Sequence, residues 1–199
     1  MNARAEGRFR EALRGSSPHL AGALRNRAEL QRLLGMPLAA AAALREVVPL
    51  MERAFGRDHA NTRQTLRSLG NALADALAFE EALAVFHDLL PRTERAAPNT
   101  MEHARDQASV AAVGVQAGDQ HLEASVPFLH AAIAIAMRAS PARLAVGHWW
   151  KMLGDIIVRL GAEGADGCYL VAHDYLEAEL GPHHAQTLAV KRLLEPASR

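Results

Sequence analysis

The chain has 199 residues, enough for a sizeable core, and half of them are hydrophobic while few are aromatic. Its 22 basic and 22 acidic residues cancel, which argues against non-specific nucleic-acid binding, since that needs a strongly basic surface. Frequent leucine and alanine, as in the run Ala39 to Ala43, favour an all-α fold.

Helical periodicity dominates and strand alternation is hardly visible. It predicts helices near 3–14, 20–34, 37–54, 61–77, 80–95, 99–117, 121–139, 142–160, 167–180 and 185–194. Gly35-Met36-Pro37 separates the second and third of these, with the proline near the start of the next helix. Gly118-Asp119 and the run Gly161 to Gly164 do the same later. Asn61, Asn99 and Ser140 are candidate N-caps. Pro49, Pro91 and Pro127 fall inside helical patterns, and Pro49 and Pro91 are 42 apart. Recurrence at one phase predicts a bend or a helix end there.

The same interval of 42 relates much of the chain. Leu44, Phe86, Phe128 and Leu170 are spaced by it, and so are Leu24, Leu66, Ala108 and Trp150. Small residues hold another phase, at Ala28, Gly70, Ala112 and Gly154. Bulky residues fill the space between helices, and small ones let backbones approach. Self-similarity at this period marks stacked helical hairpins. The expected hairpins are 20–54, 61–95, 99–139 and 142–180, preceded by a half-repeat at 3–14 and followed by a lone helix at 185–194. Residues 1–199 then form a single repeat domain.

Leu66-x-x-Leu69-Gly70-x-x-Leu73 followed by Ala82-x-x-x-Phe86 resembles the tetratricopeptide repeat. Trp150-x-x-Leu153-Gly154-x-x-Ile157 opens the fourth repeat in the same way. Between hairpins, the run Phe55 to Thr62 recurs as Leu180 to Thr187 and looks like the linker of the long repeats in kinesin light chains and many bacterial proteins. The ordinary unit is about 34 residues, so each helix here gains about one turn. The two linkers lie 125 apart rather than 126, so one residue is lost near 161–167. In the fourth repeat Asp166 replaces the alanine seen at 40, 82 and 124 on the second helix of each earlier hairpin. HEAT and armadillo arrays share the period, but the Leu-Gly pairs and the linker favour the tetratricopeptide reading.

The resemblance implies an α-solenoid whose first helices line a concave groove that holds a peptide or helix of another protein. Projecting the repeat phases gives a stripe through Arg25, Glu29 and Arg32, then Gln64, Arg67, Asn71 and Asp75. It continues through Ser109 and Gln116 to His148, Lys151 and Asp155. Arg67 and Asn71, four apart, share a helix face and resemble half of the carboxylate clamp of chaperone-binding members. The third repeat supplies Ser109 and Val110 where that clamp needs an asparagine. Trp150 holds the phase of the family's core tryptophan. Trp149 beside it reads either as an exposed interface anchor or as packing against the next hairpin. The arginines of the first helices favour an acidic partner.

Sequence chemistry beyond binding is sparse. There is no HExxH, no phosphate-binding glycine loop and no GxSxG, so no catalytic residue and no cofactor are expected. His59, His183 and His184 sit in the linkers, where the resemblance gives histidine a structural role at the helix start. No nearby cysteine or histidine completes a metal set around His183-His184, so no metal is expected. Cys168 is the only cysteine and reads as a buried, inert thiol. No apolar run reaches about 18 residues, so no membrane span is expected. The readings are a cytoplasmic protein-interaction scaffold, a regulatory or sensor portion of a larger kinase or transcription regulator, and, third, a helical enzyme using groove histidines. Apolar ends of a solenoid also allow copies of the chain to pair.

Overall fold

The computed structural model describes residues 18–139 and 143–195, and there the chain is helical with no strand. Contacts group it into two compact units, residues 1–96 and 97–199. The first holds α1 (Pro18–Leu33), α2 (Pro37–Phe55), α3 (Ala60–Asp75) and α4 (Phe79–Ala96). The second holds α5 (Met101–Ala117), α6 (Leu122–Ala139), α7 (Arg143–Arg159), α8 (Ala165–Leu180) and α9 (Ala185–Leu194). The predicted helix at 3–14 and the Ser140 cap lie outside the described residues.

Packing is between neighbours in sequence. In the first unit α1 packs on α2, α2 on α3 and α3 on α4, while the two first helices, α1 and α3, also touch. The second unit repeats this, with α5 on α6, α6 on α7, α7 on α8, α8 on α9, and α5 against α7. A nearest-neighbour pattern of this kind is what a helical repeat requires.

Within hairpins the small and large phases meet. A β-carbon on Gly70 would lie 2.6 Å from the Phe86 ring, which is fully buried. One on Gly154 would lie 2.6 Å from the Tyr169 ring. Tyr169 is thus to Gly154 what Phe86 is to Gly70, but one position early. The strict 42-residue phase puts Leu170 in the core; the structure leaves it 55% exposed. The residue lost near 161–167 has rotated α8 by one place, so Tyr169 turns inward instead.

A similar shift, of opposite sign, occurs in the third repeat. A short 3-10 turn, Asp119–His121, precedes α6. Ser125 and Leu129 are buried, 43 residues on from Ala82 and Phe86. Phe128 is half-buried against the core, and Ala124 is exposed rather than inward. The stretch Asp119–Ala139 is apolar and long enough to cross a membrane. Its Leu122, Leu129, Ala132, Ile133 and Ala136 are nevertheless buried in the core of the second unit.

The turns carry their own repeat. Gly35 and Gly161 are left-handed, with φ of +76° and +66°. The next amides bond back to form Schellman motifs: Met36 N–H to the Gln31 carbonyl at 2.9 Å and Ala162 N–H to that of Ile157 at 3.0 Å. In the second repeat Ala78 N–H reaches the Leu73 carbonyl at 2.9 Å, and the left-handed residue is Leu77, at φ +60°.

Linkers are equally regular. The imidazole Nδ1 of His59 accepts from Asn61 N–H at 3.1 Å, and that of His184 from Gln186 N–H at 3.3 Å. These histidines cap α3 and α9, the structural role expected of them, and His59 displaces Asn61 as the cap. Thr100, not Asn99, caps α5, since Asn99 is itself left-handed at φ +57°. The His59 ring also stacks on Phe55 at 4.7 Å. Arg92 of α4, almost wholly buried, donates to Glu52 at 2.7 Å, to Asp88 at 2.5 Å and to the Arg57 carbonyl at 3.3 Å. Burial opposes its charge, but the bonds from Glu52 and Asp88 outweigh that and hold the guanidinium ionised.

Pro49, Pro91 and Pro127 end nothing: α2, α4 and α6 run on past them, and all three rings are solvent-exposed. On that side the carbonyl left without a partner can take water instead.

Two substitutions test these contacts. Gly70→Ala should cost about 2 kcal/mol of unfolding free energy by overpacking a ring that cannot move. Adding Phe86→Leu should recover part of it, as read by urea denaturation. Leu77→Gly should raise stability by about 1 kcal/mol, because glycine adopts the left-handed backbone without strain.

Candidate functional site

The predicted stripe falls on the first helices of the repeats in both units. In the first unit it lies on α1 and α3. Arg25 donates to the Gln64 side chain at 2.9 Å. Arg32 donates to Asp75 at 2.6 Å and to Glu29 at 2.7 Å. Hydrogen bonds from Arg32 to Glu29 and then Asp75 hold its guanidinium further toward the charged form than usual. Arg67 and Asn71 are half-buried one turn apart on α3. Five of the seven stripe residues here are therefore tied to one another across or along the helices. Of the arginines there, Arg32 is paired with carboxylates, whereas Arg25 meets the neutral side-chain amides of Gln64 and Asn26.

In the second unit the stripe lies on α5 and α7. Gln116, His148, Lys151 and Asp155 border an open hollow of about 320 Å³, with Ala112, Val115 and Met152 as its apolar lining. Lys151 donates to Asp155 at 2.7 Å along α7. The Tyr169 hydroxyl donates to the other Asp155 oxygen at 3.1 Å. Burial, with the Asp155 charge second, pushes the Tyr169 phenol up to about 12. His148 Nε2 lies 3.1 Å from the Gln186 side-chain oxygen of α9. Ser109 is turned onto its own helix, donating to the Arg105 carbonyl at 2.9 Å.

Trp149 is not part of this surface. It is 8% exposed and lies in the core of the second unit with Val146, Leu153 and Ile156. Trp150 is the half-buried one of the pair, and its indole N–H is buried without an acceptor. The core place assigned to Trp150 by the repeat is thus shared, with Trp149 the deeper. Val110 is buried as well, so it offers nothing to a clamp opposite Arg67 and Asn71.

Sequence reasoning missed Val115, Met152 and Gln186. Val115 and Met152 lie one position from Gln116 and Lys151, where a polar stripe hides an apolar floor. Gln186 is 125 residues beyond Asn61 in the repeated linker, and that offset was the available signal.

Among the described residues, no group of three or more histidine, cysteine, aspartate or glutamate side chains is placed to hold a metal ion. Cys168 is buried, and burial alone pushes its thiol up, away from the reactive thiolate.

No protein-family model matches the sequence, and no curated protein matches it. Solved structures do. BtubC (BKLC) of P. vanneervenii superposes with a TM-score of 0.76 at 18% identity, over 92% of this chain and 76% of that one. A kinesin-light-chain-like protein of Podosopora anserina with nearly identical TPR-like repeats gives 0.73 at 17% identity, over 90% and 85%. A MamA double mutant gives 0.58 at 19%, over 88% and 96%. The nearest-neighbour hairpins, the glycine-on-ring contacts and these superpositions agree: the chain has the all-α, TPR-like helical-repeat fold.

Proposed function

We propose that this protein is an interaction scaffold that holds a peptide or short helix of another protein against the first helices of its repeats. The observation that carries the reading is the α5–α7 hollow. Four stripe residues, Gln116, His148, Lys151 and Asp155, surround an apolar lining there. The hollow has room for one or two side chains, and the rim offers donors and acceptors to the peptide around them. That is the usual division of labour at a recognition site, with an apolar anchor inside and a polar rim outside.

Because Lys151 is paired with Asp155 and Arg32 with Glu29 and Asp75, these two cations do little to select the ligand. The fitting partner carries an apolar anchor with polar neighbours of both signs rather than an acidic run. The same proposal sets the encounter in the cytoplasm, in keeping with a chain whose single cysteine makes no internal disulfide. A helical enzyme finds no support in the hollow, where Lys151 is engaged with Asp155 and His148 with Gln186.

A photocrosslinking residue at Gln116 should capture the partner and define its bound segment. Against that peptide, the double substitution Lys151→Glu and His148→Ala should weaken binding by about tenfold, measured by fluorescence polarisation. Arg138→Glu, on an exposed position of α6, should leave it unchanged. Equal affinity for all three proteins would remove the α5–α7 hollow as the site.

A further inference from the structure

The described part of the first unit carries an exposed apolar surface. Leu33, Leu34, Leu38 and Leu77 are 67%, 76%, 73% and 74% exposed, and Met36 is 50% exposed. They sit on two adjoining turns, the one between α1 and α2 and the one between α3 and α4. Met36, Pro37, Leu38, Ala39, Ala76 and Leu77 line a single open hollow of about 440 Å³ there.

Two features separate this surface from ordinary scattered exposure. The first is Leu77. It occupies the left-handed position that Gly35 and Gly161 hold in the equivalent turns. A leucine there costs backbone energy, and at 74% exposed it recovers little of that by burial within the chain. Strain kept at an exposed side chain points to a use outside the fold. The second is the absence of a free charge lining the hollow. Asp75 at its edge is already paired with Arg32 at 2.6 Å, so covering the surface strands no ion.

We infer that a second copy of the chain docks here, turn against turn. In a twofold contact each patch meets itself. A charged patch would then face its own sign, whereas an uncharged apolar one is compatible with itself. The five side chains present on the order of 500 Å² of apolar surface, within the range of the largest patch on a monomer, which is often functional. A standard interface takes about 800 Å² from each partner and is about 65% apolar in homodimers, so the patch matches the apolar share of one side. This contact is separate from the α5–α7 hollow, and either assignment can fail without the other.

Light scattering on the full chain, from low to high micromolar concentration, tests the inference. The expected mass rises toward twice the 21.5 kDa of one chain. Leu38→Glu combined with Leu77→Glu should return it to the monomer value with an unchanged circular dichroism spectrum. Leu77→Gly serves if the glutamates disturb the fold. It should melt no lower than the parent in its monomeric state, yet dimerise at least tenfold more weakly. A parent chain that stays monomeric throughout overturns the inference, even if a crosslinker at Leu38 captures a different protein. A dimer equally tight in these variants overturns it too.

Discussion

Everything in the two units depends on how closely the two helices of a hairpin can approach. Gly70 against Phe86 and Gly154 against Tyr169 set that distance, since a β-carbon at either glycine would lie only 2.6 Å from the facing ring. The contact combines the two classes of residue that the repeat separates, one with no side chain and one with a large flat one. Rings held this way leave little room for adjustment, because packed interiors are dense and respond to single methyl groups. Once the hairpin is closed, each next helix has a fixed surface to dock on.

The register shifts show that this contact outranks the spacing of the sequence. In the fourth repeat the loop before α8 is a residue short, and the helix turns until Tyr169 reaches Gly154, leaving Leu170 in water. In the third repeat the 3-10 turn adds a residue, and α6 turns until Ser125 and Leu129 face inward. A helix can rotate to meet its neighbour because its stability depends on the apolar face as a whole more than on one named residue.

Polar groups follow the same neighbour rule. Arg25 with Gln64, Arg32 with Asp75, Arg92 with Glu52, and Arg159 with Asp119 at 2.6 Å all join adjacent repeats. Within the stripe, Arg32 is held by carboxylates of its own surface, while Arg25 keeps its charge beside the neutral Gln64 amide. Among the described residues, two open hollows have an apolar lining. One is the hollow between α5 and α7, apolar within and polar at the rim. The other is the leucine-rich pair of turns in the first unit.

The sequence by itself determined the all-α repeat, the positions of the described helices to within a few residues, the linker histidines at helix starts and four residues of the α5–α7 hollow. It could do so because a 42-residue period averages over many positions and punctuation by glycine and proline is local. Tertiary structure alone decided which of Trp149 and Trp150 lies deeper, that Tyr169 replaces Leu170, and that Arg32 is paired with Glu29 and Asp75. Adjacent residues on a helix point about 100° apart, so an error of one position moves a side chain from core to surface. Only the neighbouring helix, packed in place, selects between the two.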